Sequence, residues 1–395
     1  MTPPSPGPLL SDRVARTPSS ATVRIADLAT ELRRQGVRVL DFSAGRAAEP
    51  SPDYVNQAAA RALLSGDTHQ TMAQGRRDFR VRVSEKLRRE NGLDMDPDRN
   101  VIATLGCKNG LTLALMSILD PGDEAVIEDP CFVSYGATVG LFGARSVAVP
   151  LRAENAFRWT REQLEGAITE RTKVLLFCSP HNPCGAVHTA EDLDVIAETA
   201  LRHRLWVVAD EIYERVTWGG RRHICLSSRP GMRDRVVGLM GFTKTLSMGG
   251  WRIGFAYGPE RIIGAMTKLQ QHLMTCAGSF TQAGAASALA DDYRPEVYAL
   301  WSDWEKRCAF VADEINRIPG LSCRPPEGGF YAWIDIRPAG ESSAEFCERL
   351  LEERHIALVP GSAFGSAGEG YVRMTCVKSW DDLKEGLALM RQGIR

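Results

Sequence analysis

One lysine in this chain stands where an amine can act as a nucleophile. Lys244 sits in the small-residue loop Gly241-Phe242-Thr243-Lys244-Thr245, just after the apolar run 236–240. That run is short enough for a buried strand. A Gly250-Trp251-Arg252 turn follows and leads into a second apolar segment, residues 253–257. A lysine on a short loop at a strand end is partly shielded from water. Desolvation lowers a lysine's pKa, and the free amine attacks carbonyl carbon. Thr243 and Arg252 on either side are suited to gripping an anion.

Three other stretches carry groups that suit such an amine. Gly106-Cys107-Lys108 follows the apolar run 101–104 and opens a helix. Small residues there let backbone N–H groups and the helix dipole face a phosphate. Asn182 lies in Ser179-Pro180-His181-Asn182-Pro183-Cys184-Gly185, after the run 173–178. Its amide is a donor on a backbone fixed by Pro and Gly. Asp210-Glu211-Ile212-Tyr213 follows the run 205–209. A carboxylate at the end of an all-apolar strand is costly without a cationic partner. Each group alone has an ordinary reading as well: a solvated lysine, a helix-starting glycine, a turn asparagine, an N-cap aspartate.

The elements that must position them alternate. Strands are expected at 101–104, 124–128, 146–149, 173–178, 205–209 and 236–240, with helices at 111–119, 132–142, 161–167 and 190–203 between them. Such alternation predicts an α/β fold with a mostly parallel sheet between helices. Ligands of such sheets bind beyond the carboxyl ends of the strands. Earlier, a helix over 21–35, a strand over 37–42 and helices over 53–65 and 78–91 are expected. After Pro259 the texture changes. Helices at 261–276, 282–290, 297–318, 343–353 and 381–391 mix with strands at 330–336, 356–360 and 371–375. These expectations divide the chain into an arm (1–20), a large domain (51–290) and a smaller α+β domain (21–50 with 291–395).

Four strand ends, read as neighbours, thus deliver a phosphate nest, an amide donor, a buried carboxylate with a phenol, and an amine. A phosphate, a phenolate oxygen, a ring nitrogen to be kept protonated and an aldehyde would match them. Pyridoxal 5′-phosphate carries all four.

The motifs Pro121-Gly122-Asp123-Glu124, Asn182-Pro183-Cys184-Gly185, Asp210-Glu211-Ile212-Tyr213, Thr243-Lys244 with Gly250-Trp251-Arg252, and Arg373 near the end occur in one order and spacing. In these the chain, from Gly36 to its C-terminus, resembles the class I/II aminotransferases of fold-type I. The resemblance implies a seven-stranded, mostly parallel sheet in the large domain. It implies that Lys244 forms the Schiff base and then moves the proton from Cα. Asp210 would pair with the pyridine nitrogen, and Asn182 and Tyr213 with the ring hydroxyl. Gly106, Cys107 and Lys108 would hold the phosphate with Thr243 and Arg252. Phe132 matches the aromatic that stacks on the ring, its other reading being core packing. Arg373 matches the arginine that forks onto the substrate α-carboxylate, a bidentate role that Lys cannot fill. The implied activity is transfer of an amino group from an L-amino acid to a 2-oxo acid by a ping-pong route, in a homodimer with its site at the subunit interface.

The sequence departs from the family on the substrate side. The usual Gly-Glu-Pro is expanded to Ser43-Ala44-Gly45-Arg46-Ala47-Ala48-Glu49-Pro50, with Gly45 the best match. Arg46 is an added charge, suited to an acidic substrate group or simply to solvent. His69 stands where the family has a tyrosine that reaches the phosphate across the dimer; a histidine can donate there and also titrates near neutrality. Lys108 matches a lysine that some aspartate aminotransferases use on a distal carboxylate, which points to a dicarboxylic substrate. These departures leave an alternative open: β/γ-elimination, replacement or carbon–carbon bond formation on an S-adenosylmethionine-like substrate. A cofactor-binding sensor lobe is a weaker third reading, since no DNA-binding extension is visible.

Composition bounds the rest. A formal net charge of -1 gives no electrostatic footprint for nucleic acid or an anionic membrane. No apolar run is long enough for a membrane span, and the Pro- and Ser-rich start lacks the pattern of a secretory signal. None of the ten cysteines forms a C-x-x-C pair and the seven histidines show no ligand spacing, so reduced thiols, a cytoplasmic location and no metal are expected.

Overall fold

The computed structural model describes Ser11, Arg13, Val14, Thr17 and residues 21–289 and 293–394. The arm expected over 1–20 therefore falls mostly outside the described residues. The large sheet contains seven strands: β2 (Val101–Thr104), β3 (Glu124–Asp129), β4 (Arg145–Pro150), β5 (Thr172–Cys178), β6 (Trp206–Asp210), β7 (Val236–Gly241) and β8 (Gly254–Tyr257). Their order across the sheet is β2-β8-β7-β6-β5-β3-β4. Only β8 runs antiparallel to its neighbours.

The strands at the centre are apolar on both faces, because helices cover both. All of β2, β3 and β8 is buried, and β6 is buried from Val207 to Asp210. Unbroken burial of this kind marks a parallel sheet inside an α/β layer structure. The covering helices are α2 (Asp53–Leu64), α3 (Arg77–Asn91), α4 (Cys107–Ile118), α5 (Ser134–Leu141), α6 (Arg161–Ala167), α7 (Ala190–Arg202), α8 (Glu260–Leu273) and α9 (Ser279–Ala288), after α1 (Ala21–Arg34) at the start. Their ends carry local signals. Thr160 with Gln163 and Thr189 with Asp192 form capping boxes, and Gly92 ends α3 in the left-handed conformation at φ 66°.

A smaller antiparallel sheet has the order β12 (Val359–Pro360), β13 (Tyr371–Thr375), β10 (Tyr331–Asp335) and β9 (Ser322–Cys323). Strand β1 (Leu40–Asp41) pairs in parallel with β11 (Ile356–Ala357). Helices α10 (Pro295–Ile315), α11 (Ser343–Arg354) and α12 (Trp380–Gly393) pack on these strands and on one another. Trp304 of α10 is completely buried there.

Three expectations need correction. The four functional strand ends are not all neighbours, because β8 lies between β2 and β7. The chain leaves β7, makes the lysine loop and returns antiparallel, so this hairpin claims the position beside β7. The strand expected over 356–360 is two strands in two sheets, since the chain crosses from the β1 partner to the β13 partner at Leu358. The strand expected over 37–42 pairs only at Leu40 and Asp41.

The wedged strand needs a bare backbone at its first residue. A Cβ on Gly254 would lie 3.0 Å from Met240 O and 3.2 Å from Cys107 N, both main-chain atoms that cannot swing away. Gly254→Ala is therefore expected to destabilise the protein by about 1–3 kcal/mol. Urea unfolding checks this: the midpoint should fall at unchanged slope.

Candidate active site

The carboxyl ends of the parallel strands open into a cavity of about 790 Å³. It is closed on the other side by residues 43–46 and by Tyr331 and Arg373 of the smaller sheet. Strand β6 ends in Asp210, which burial pushes up from an ordinary 3.8 to about 6. Two donors oppose that rise. Tyr135 of α5 donates its hydroxyl to Asp210 Oδ2 at 2.7 Å, and Ile212 N–H donates to Oδ1 at 3.3 Å. The positive charge of Lys244 acts the same way.

Lys244 leaves the end of β7 and points its amine across the cavity. Nζ donates to the carbonyl of Gly45 at 2.5 Å. The rings of Tyr213 and Phe330 lie 5.8 and 5.9 Å from the ammonium. Gly45 has to be small, because an added Cβ would lie 2.5 Å from the Tyr331 hydroxyl. Tyr213 and Tyr331 share a hydrogen bond of 2.9 Å, and burial raises the pKa of the Tyr213 phenol.

Arg373 comes from the middle of β13. It donates to Asn182 Oδ1 at 3.0 Å and to the carbonyl of Ser43 at 2.9 Å. Its guanidinium lies 4.3 Å from the Tyr331 ring centre, a cation–π contact. Its buried Nε has no hydrogen-bond partner.

At the far end, Gly106 precedes α4 with φ +79°, a conformation that suits glycine. An added Cβ there would lie 2.8 Å from Arg252 Nη2. Arg252 is held by the carbonyls of Leu105 and Gly249, at 3.1 and 2.9 Å. The first-turn N–H groups of a helix have no partner within it, so those of Cys107 and Lys108 face the cavity end with the positive pole of the helix. Lys108 Nζ stands 5.4 Å from the Phe132 ring centre. Partial burial, Arg252 and Lys244 all lower the pKa of Lys108.

The cavity thus collects Lys244, Asp210, Tyr213, Cys107, Lys108, Phe132, Asn182, Thr243, Arg252, Gly45, Arg46 and Arg373, with Gly106 against Arg252 behind them. His69 is exposed and does not line the cavity of its own chain. Three contributors were not singled out from sequence: Tyr135, Tyr331 and the Ser43 carbonyl. Tyr135 carried a weak signal, one helical turn past Phe132. Tyr331 and Ser43 are brought in only by the smaller sheet.

Charge tests whether pyridoxal 5′-phosphate suits this cavity. Among the described residues, Lys108, Lys244, Arg252, Arg373 and Arg46 have no carboxylate ion-pair partner. Such a surplus calls for anions: a phosphate at the helix start and carboxylates near Arg373. Among the described residues lining the cavity, Asp210 is the one buried acid, and it has no ion-pair partner, which a protonated ring nitrogen would supply. The residues fit the cofactor.

The model for aminotransferases of class I and II matches residues 37–388. The chain is 36% identical over 386 residues to an aspartate aminotransferase of Musicola paradisiaca, covering 96% of each. It is 35% identical to aromatic-amino-acid aminotransferase 2 of Thermococcus litoralis, covering 98% of each. The solved aspartate aminotransferase of Thermus thermophilus with maleate superposes with a TM-score of 0.93 at 34% identity, covering 98% of this chain and all of the other.

The chain belongs to the class I and II aminotransferases.

This aminotransferase is a pyridoxal-phosphate-dependent enzyme of fold-type I, as its sheet order and motifs imply. The alternative of elimination, replacement or carbon–carbon bond formation is not favoured by these relatives. No helix among the described residues is long and apolar enough to cross a membrane. All ten cysteines are free and eight are buried.

The raised Asp210 has a measurable consequence in the cofactor-free aminotransferase. Its folded pKa, about 6, exceeds the ordinary 3.8. The folded chain therefore holds a proton longer than the unfolded one, and stability falls as pH rises from about 4 to about 6. The full effect is about 3 kcal/mol at most. Asp210→Asn should gain stability over the wild type above about pH 6 and lose that advantage below about pH 4. Urea titrations of both proteins across that range test it; a gain independent of pH would contradict the assignment.

Proposed function

We propose that this aminotransferase acts on dicarboxylic L-amino acids and their 2-oxo acids, aspartate and glutamate in the first place. The observation that carries this reading is the surplus of unpaired cations at separated places in one cavity. Arg373 serves the α-carboxylate, with its fork held open by Asn182 and Ser43. Lys108 and Arg46 stand in the same cavity and suit a second carboxylate. The names of the aspartate aminotransferases among the relatives support it. Aromatic substrates have support too, from the aromatic-amino-acid relative and the Phe132, Phe364 and Tyr331 rings around the cavity.

The roles follow from position. Gly106, Cys107 and Lys108 hold the cofactor phosphate through the start of α4, with Thr243 and Arg252 beside them. Asn182 and Tyr213 would hold the ring oxygen, and Phe132 would pack against the ring. Asp210 keeps a proton at the ring nitrogen. Bound pyridoxal 5′-phosphate supplies the carbon that takes the amino group and a ring that accepts the electron pair left at Cα. Arg373 fixes the substrate so that its Cα–H faces Lys244. The Lys244 amine is the base that would take that proton. The second substrate is an acid of the same shape and uses the same Arg373, so two half-reactions share one cavity and give ping-pong kinetics.

The enzyme works as a homodimer in this reading. His69 does not reach its own cavity, and the exposed Leu64 and Met72 flank it in the chain. A partner subunit would receive His69 at its phosphate.

Two measurements test the assignment. Borohydride reduction of the loaded enzyme should fix the cofactor's mass to the peptide containing Lys244, and Lys244→Ala should retain no such mass and lose turnover by at least about 10³-fold. Lys108→Met should lower kcat/KM for aspartate by about 10-fold or more while leaving an aromatic amino acid within a few-fold. Equal losses on both substrates would remove Lys108 from the distal-carboxylate role.

A further inference from the structure

Behind the cavity floor, on the side of Glu211 rather than Asp210, lies a second chemically competent cluster. Glu211 follows Asp210 directly, and its side chain is buried. One of its oxygens, Oε2, accepts the Tyr257 hydroxyl at 2.6 Å. The other, Oε1, is buried and has no hydrogen-bond partner. His223 Nε2 lies 3.3 Å from that oxygen and 3.6 Å from Cys225 Sγ. One ligand atom from each of the three residues falls within 4.8 Å of the others.

The charges around the cluster leave Glu211 as the exception. Glu214 and Glu90 are both paired with fixed cations, Lys86 and Arg215 among them. Glu211 has no Lys or Arg partner among the described residues, only His223 and the Tyr257 hydroxyl. A buried carboxylate without a fixed cation is costly. The geometry also matches a known coordination. Zinc at ordinary bond lengths sets a tetrahedral N···O edge of about 3.3 Å and an N···S edge of about 3.6 Å. A divalent ion with Glu211 carboxylate and Cys225 thiolate is neutral overall, so it can be buried at low cost. Tyr257 would orient the carboxylate from outside, as second partners of metal ligands do.

We propose that Glu211, His223 and Cys225 bind a zinc-class divalent cation, fastening the 217–225 loop to the end of β6. The site is separate from the cofactor cavity and takes no part in amino transfer. It ties the backbone beside Asp210 to a loop that otherwise meets it through side chains alone.

The test uses the full-length, cofactor-loaded enzyme, stripped with a chelator, dialysed, and then titrated with Zn²⁺ or Co²⁺. One zinc per chain is expected. Cobalt should give the strong visible bands of a tetrahedral site, and zinc X-ray absorption should show one sulfur neighbour. Cys225→Ser and His223→Gln should each abolish stoichiometric binding. Tyr257→Phe should weaken it by about 10- to 100-fold. Cys347→Ser, a buried thiol elsewhere, should leave it unchanged. Zinc should raise the thermal midpoint of the wild type and not of Cys225→Ser. If Cys225→Ser does not fold, His223→Gln carries the same reading. Absence of stoichiometric zinc, a site without sulfur, or binding as in the wild type in the Cys225 and His223 variants would overturn the proposal.

Discussion

The arrangement rests on one electrostatic constraint, a carboxylate placed at the buried end of strand β6. Strand β6 is apolar up to Ala209, and Asp210 then stands in a setting that resists its ionisation. Tyr135 and the Ile212 amide relieve part of that penalty. The remainder is relieved only by positive charge, and the cavity supplies an excess of it. Asp210 and the surrounding cations are therefore complementary halves of one requirement. A group with a protonable ring on one side and anionic groups on the other would meet it.

Topology then decides where each half sits. Six parallel strands send their carboxyl ends to one edge, and helix starts bring N–H groups to the same edge. The antiparallel β8 separates the β2 end from the β7 end, so two strands lie between the Gly106 turn and Asp210. Gly254 and Gly106 keep that region open by lacking side chains. The smaller sheet closes the cavity by aiming Arg373 at Asn182, a contact between residues 191 positions apart.

The cofactor side was readable in the sequence because each of its groups lies within a few residues of a strand end. Alternating apolar runs locate β2, β5, β6 and β7, and the residues just beyond them line the cavity. What periodicity records is exposure, not partners. It could not show that β8 intervenes between β2 and β7, since that depends on a hairpin returning. Nor could it divide residues 356–360, which are apolar throughout yet pair in two different sheets. Tyr331 is similar: nothing local marks it, and it reaches the cavity because β10 pairs with β13 in a fixed register. His223 and Cys225 belong to the same class, meeting Glu211 only through a loop that folds back.

The two ends of the cavity are built from different materials. The end at Gly106 presents main-chain N–H groups at the start of α4, which no substitution of Cys107 or Lys108 by another ordinary residue removes. The opposite end relies on side chains carried by residues 43–46 and by the smaller sheet. Heritable change can thus rewrite what the enzyme recognises without discarding the cofactor. Descendants of one such ancestor can divide the amino acids among themselves, and the relatives named for aspartate and for aromatic amino acids have the look of that division.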